Sequence, residues 1–224
     1  MSIEMAVMRA IGKSLIAGVA ALAYFLIPFS GAFAAKTASG VKAPVLYRYL
    51  IDGRKSRVSF TFRGVLVSYD GHFGVLEGEL FLGSRNSFRG ASGKFLIKAA
   101  SVKSKRPEHR RMLYGEVLEA EEYPDIDFRV TSVEPGGEPV NRDPGRRDKD
   151  WWLRGRGVLK MHGARRTLPL SFRLTDTGAN LYIRGKGSIS LSDFGMSRPK
   201  VLLLVPGGDK VEVTVRLVAS PAPR

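Results

Sequence analysis

Not one of the 224 residues is cysteine. That excludes disulfides, thiolate metal sites, a cysteine nucleophile and a lipid-modified amino-terminal cysteine. Histidine is nearly as scarce: His72, His109 and His162 stand far apart, with no carboxylate at ligand spacing and no HExxH run, so neither a metal nor a cofactor is expected. The G-x-S-x-G elbow of a serine hydrolase is missing. Gly155-Arg156-Gly157 and Gly185-Lys186-Gly187 lack the third glycine and the following helix of a dinucleotide site. Asp193-Phe194-Gly195 matches the magnesium tripeptide of protein kinases, but no glycine-rich loop, no strand lysine with a helical glutamate and no HRD run precedes it. Negative charge is also in short supply, with 21 acidic against 36 basic residues and a net charge of +15.

What is present begins with a leader. Arg9 and Lys13 precede the apolar run Leu15 to Phe29, and Ser30 and Gly31 lead into Ala32-Phe33-Ala34. This is the pattern of a secretory signal peptide over residues 1–34, cleaved near Ala34, and it places the mature protein in the periplasm or outside the cell. The run is shorter than the roughly 20 residues of a membrane-spanning helix. Removing Arg9, Lys13 and Glu4 lowers the net charge from +15 to +14. So basic a chain favours anionic surfaces, and in an exported protein that means lipid headgroups rather than nucleic acid. The clusters Lys103 to Arg111 and Arg142 to Lys149, and the group Arg154, Arg156, Lys160, Arg165 and Arg166, carry this charge. Their structural alternative is a solvated face.

Residues 35–45 read as a flexible arm, and residues 46–220 as one domain. There the apolar positions alternate with period two: Val58, Phe60 and Phe62; Phe95 and Ile97; Ile126, Phe128 and Val130. Adding Leu46 to Ile51, His72 to Leu82, Trp151 to Met161, Arg166 to Asp176, Leu181 to Leu191 and Lys210 to Val218 gives about nine strands. Asp70-Gly71, Pro135-Gly136-Gly137, Thr177-Gly178 and Pro206-Gly207-Gly208 supply turn signals. Only Pro107 to Glu122 breaks the rule, with helical spacing of Met112, Leu113, Val117 and Leu118 after a proline suited to a first turn. The fold class is therefore all-β, an antiparallel barrel of about eight strands with a short helical insertion. On pattern alone, a filled core and a tunnel remain equal. Asp193-Phe194-Gly195 is expected to end a strand, with Asp193 folding onto nearby amides, Gly195 turning and Phe194 entering the interior. Glu77 with Glu79, and Asp125 with Asp127, form same-face pairs that suit a glycosidase or, more simply, a solvated strand face. Val201 to Val205 reads as a buried strand, a lid or a membrane-facing segment.

Several runs, in order, resemble the YceI-like family of periplasmic polyisoprenoid- or lipid-binding proteins: "SRVSFTFRG", "FGVLEGEL", "RRMLYGEVLEAEEYPDIDFRVTSV", "GRGVLKMHGARRTLPLSF", "GKGSISLSDFGMSRP" and "DKVEVTVRL". Tyr123-Pro124-x-Ile126-x-Phe128, His162-Gly163 and Ser192-Asp193-Phe194-Gly195 are the most specific. The resemblance implies an extended, lipocalin-like barrel whose apolar tunnel holds a long-chain isoprenoid or fatty-acid-like molecule, without catalysis. It departs from many relatives at Arg110-Arg111-Met112, where they carry Asp-x-His-Leu, and at Val117-Leu118, which replace an aromatic pair. Phe60, Phe62, Phe95, Ile97, Phe128, Leu170, Phe172 and Ile183 are the expected lining. Two other functions are to be weighed: an all-β enzyme acting on a lipid-like substrate with His162 or a carboxylate as base, and an adhesion module that binds anionic lipid through its basic face.

Overall fold

The computed structural model describes residues 47–63, 68–84, 87–137, 148–197 and 209–223. The leader, the arm, Pro206-Gly207-Gly208 and Val201 to Val205 lie outside them. Eleven strands follow in order: β1 (Tyr47–Ile51), β2 (Arg57–Arg63), β3 (Ser68–Phe73), β4 (Leu76–Leu82), β5 (Ser92–Lys98), β6 (Val102–Ser104), β7 (Asp125–Pro135), β8 (Lys149–Met161), β9 (Ala164–Asp176), β10 (Leu181–Ser190) and β11 (Lys210–Pro221). One helix, α1 (Pro107–Met112), stands between β6 and β7.

All pairings are antiparallel, and the eleven strands fill eight positions of a closed wall. β11 spans the barrel and receives β2 along Val211 to Arg216 and β1 along Ala219 to Pro221, so β1 and β2 share one position. β4 and β3 share the next, opposite β1 and β2, and β5 and β6 the one after. β7 to β11 fill one position each, and the β1–β11 and β2–β11 pairs close the ring. Closure leaves no exposed edge on a fully paired strand.

The extra strands arise from two breaks. The apolar run from His72 to Leu82 breaks at Gly74-Val75, where both amides turn to the Ser101 hydroxyl, at 3.2 and 3.0 Å. A single 3-10 turn at Ala99–Ser101 divides β5 from β6 in the same layer. Asp70-Gly71, which reads as a turn, lies instead inside β3: a Cβ on Gly71 would sit 2.4 Å from the Phe60 ring, so the glycine makes room for an interior aromatic. The tightest turn joins β8 to β9 through His162 and Gly163, with φ of 50° and 72°. Positive φ at both central residues is the requirement of a type I′ hairpin, whose twist matches that of the strands.

The helix is shorter than its periodicity suggests. α1 ends at Met112, and Leu113–Val117 widen into one π-type turn, in which the Leu118 amide donates to the Leu113 carbonyl at 2.9 Å. That widening turns Leu113, Val117 and Leu118 together into the core. The segment therefore plugs one end of the barrel. At the other end, Phe88, 1% exposed, meets Trp151 edge to face at 5.1 Å.

Candidate functional site

Interior positions follow from strand parity. On β8, Leu153, Gly157, Leu159 and Met161 face inward and Trp152, Arg154, Arg156 and Lys160 face outward; β9 and β10 continue this register pair by pair. Two apolar cavities occupy the axis, one of about 420 Å³ and one of about 120 Å³. Val58, Ile97, Leu159, Ile189 and Val213 line both, so the cavities abut across one girdle of side chains. The smaller ends against Met112, Leu113, Val117 and Leu118 of the plug, and the larger runs toward Phe88.

The eight expected lining residues fall as follows. Phe60 and Phe62 face the smaller cavity; Phe95, Phe128, Leu170, Phe172 and Ile183 face the larger; Ile97 faces both. Phe95 and Phe128 meet at 6.1 Å, and a Cβ on Gly157 would come within 2.4 Å of the Phe128 ring, which fixes that ring against the wall. Sequence reasoning missed Tyr69, Met196 and the plug residues as lining. Tyr69 stands in a strand whose glycine signals a turn, and the helical face carries no mark of where it docks.

The polar content is small. Among the described residues, Lys186 is the one charged residue touching either cavity, with the hydroxyls of Ser92, Ser171 and Ser188 near it in kind. His162 lines neither. Its Nδ1 lies 3.2 Å from the Phe194 carbonyl, its Nε2 lies 3.4 Å from a Glu119 carboxylate oxygen, and its ring packs at a tilt against Tyr123, 4.1 Å between centroids. It ties the plug to the turn after β10 and stands away from any interior substrate. The same-face carboxylates make surface ion pairs: Glu79 with Arg48 at 2.8 Å and Asp125 with Lys98 at 2.7 Å. No group of three metal-ligating side chains occurs among the described residues.

Ser192–Phe194 form a single 3-10 turn, with Phe194 1% exposed, and Gly195 ends it at φ 66°. One detail needs correction: the carboxylate that accepts from this turn belongs to Asp209, which takes the Ser192 amide at 3.1 Å and the Ser192 hydroxyl at 2.6 Å, while Asp193 is exposed.

Comparison with known proteins gives one consistent outcome. The sequence model of the YceI-like domain matches residues 49–219. The structure of BcnA from Burkholderia cenocepacia is similar with a TM-score of 0.62 at 21% identity, covering 76% of this chain and 99% of that one. A polyisoprenoid binding domain from Saccharophagus degradans, implicated in plant cell wall breakdown, is similar with a TM-score of 0.61 at 15% identity, covering 78% and 98%. No curated protein matches in sequence.

Proposed function

Because the chain belongs to the YceI-like domain family, we propose that it is an exported, non-enzymatic carrier that holds a long-chain isoprenoid or fatty-acid-like amphiphile inside the barrel. The observation that carries this reading is the pair of abutting apolar cavities, whose larger member falls in the range of about 300–1,000 Å³ typical of ligand sites. A filled core would leave neither. The name of the Saccharophagus degradans relative, a polyisoprenoid binding domain, supports the same class of ligand, and the leader pattern supports export to the periplasm or beyond.

The energetics suit a chain rather than a compact molecule. Burying ten to fifteen methylenes at about 0.8 kcal/mol each gives roughly 8–12 kcal/mol, set against an association cost of roughly 4–15 kcal/mol. Each added methylene shifts the balance further toward binding, so long chains are favoured over short ones. The test is displacement of a fluorescent fatty-chain probe by prenyl alcohols of increasing length. Affinity is expected to climb with each added unit and then level off when the chain outgrows the barrel. Folded protein that binds neither the probe nor any alcohol of the series would overturn the reading.

A further inference from the structure

β9 and β10 separate halfway along their length. They pair from Leu181↔Asp176 to Gly185↔Phe172 and no further, whereas β9 continues along β8 to Ala164 and β10 along β11 to Ser190. Past the separation, residues touching the larger cavity run consecutively: 168 to 171 on β9 and 186 to 189 on β10. Successive strand residues face opposite sides of a wall. A cavity bounded by both faces of a strand must pass around its edge, so the interior opens sideways here. The sequence suits an unpaired margin. Pro169 has no amide to offer a neighbouring strand, and a Cβ on Gly187 would meet nothing within 4 Å.

Beside this opening runs a row that folding does not favour. In register across five strands, Trp152 on β8 stands opposite Arg173 on β9, Arg173 opposite Arg184 on β10, Arg184 opposite Arg216 on β11, and Arg216 opposite Arg57 on β2. Like charges placed directly opposite destabilise a sheet. Arg173 is offset by the Asp150 carboxylate, but among the described residues Arg57, Arg184 and Arg216 have no ion-pair partner and are exposed. Among the described residues, carboxylates reappear toward the margins of this face, with Asp127 and Glu134 on β7 opposite Lys160 and Arg154, Glu212 paired to Arg63, and Asp70 on β3 opposite Thr61. Trp152 at 54% and Tyr182 at 37% exposure flank the row, and indole and phenol rings so placed settle at the headgroup level of a bilayer.

We propose that this face rests on an anionic lipid bilayer and that the separation of β9 from β10 is the port through which a lipid chain passes between bilayer and barrel. The inference rests on the lipid-binding reading above and adds the surface and the route. Negative headgroups would relieve the arginine repulsion. A soluble polyanion would do so too, but it would need neither the aromatic flank nor an apolar cavity opening beside the row.

Two measurements test it on the full mature chain. In the first, the protein is sedimented with vesicles of phosphatidylcholine alone or mixed with phosphatidylglycerol. Binding is expected only to the mixture, falling with salt, and weakening roughly thirtyfold in R184Q/R216Q while the variant's thermal midpoint stays level or rises. Equal binding to neutral vesicles would overturn the surface, and so would an oligonucleotide that binds the protein tightly and strips it from the mixture, which would give the row to nucleic acid.

In the second, the absence of native cysteine permits G187C alone to be labelled, after folding, with a bulky reagent that forms a reducible disulfide. Transfer of a fluorescent prenyl probe from vesicles is expected to slow at least tenfold on labelling and to recover on reduction, while probe loaded beforehand stays bound. Unchanged transfer by labelled protein would refute the port and leave lipid binding intact. Failure of unlabelled protein to take up probe from vesicles or from detergent would instead refute lipid binding itself.

Discussion

The two edges of β9 lead different lives. Along β8 it keeps thirteen residue pairs in unbroken register, closed by a two-residue turn; along β10 it keeps five and then leaves. On the closed side the wall is packed, with Leu153 1% exposed and Gly157 held under the Phe128 ring. On the open side Leu168 and Leu170 are only half-buried and Gly187 faces open space. One strand thus has an edge committed to the fold and an edge left for something else. Burial is what makes a position costly to change, so stability should map the first edge and leave the second nearly blank.

The largest contrast is expected between two leucines of this wall. Leu153→Ala removes a fully buried side chain and should cost about 3 kcal/mol in urea unfolding, whereas Leu170→Ala at the open margin should cost about 1 kcal/mol or less. Equal losses would mean the margin is packed after all.

Next comes Asp150, which accepts from Arg173 and, at 2.6 Å, from the Thr175 hydroxyl. Asp150→Ala should cost about 2 kcal/mol, because it leaves Arg173 directly opposite Arg184 without a counter-charge. Adding R184Q should return part of that loss. A double variant no more stable than the single one would show that the arginines do not repel.

The glycines sharpen the comparison at a smaller scale. Gly157→Ala, with its Cβ 2.4 Å from the Phe128 ring, should cost about 1–2 kcal/mol. Gly187→Ala, with nothing near its Cβ, should stay within about 0.5 kcal/mol of the parent.

The smallest effect is one of pH. His72 lies near the Arg57 end of the row, and burial, followed by the Arg57 and Lys103 cations, holds its imidazole below the ordinary 6.5. The unfolded chain then takes up a proton more readily than the folded one. The His72 contribution is intact above the unfolded value of about 6.5, declines as the pH falls through it, and levels off once the folded ring is protonated too. His72→Gln should therefore narrow the stability gap between about pH 7.5 and 5.5 relative to the parent; parallel curves for the two proteins would remove His72 from the account.

How much of this was written locally in the sequence depends on what each feature requires. Strand alternation is a property of neighbouring residues, so Val58-Phe60-Phe62, Phe95-Ile97 and Ile126-Phe128 declare both their strands and their inward faces. The helical plug is legible from Pro107 and the spacing after it, though not its π-type widening, which answers to packing. The break at Gly74-Val75 answers to a distant partner, the Ser101 hydroxyl, and leaves no local period. Asp70-Gly71 misleads for a similar reason, since the glycine there serves the Phe60 ring across the sheet. Asp209 caps the Ser192 turn from 17 residues away, a pairing that no reading of "SDFG" alone contains.

The side opening did leave a mark. A proline in the middle of "RTLPLSF" signals a strand edge, and it stands where β9 loses its neighbour. The arginine row left none, because Arg57, Arg173, Arg184 and Arg216 become neighbours only through long-range register. Charge composition announced a basic surface; topology decided which basic residues share it.

That the interior holds a lipid chain is tested most directly by native mass spectrometry of the protein purified from its own cells, followed by denaturing extraction. One long-chain lipid per barrel is expected, retained in the gas phase and released on unfolding. Folded protein that arrives empty, and gains no mass when offered prenyl alcohols or fatty acids, would contradict it.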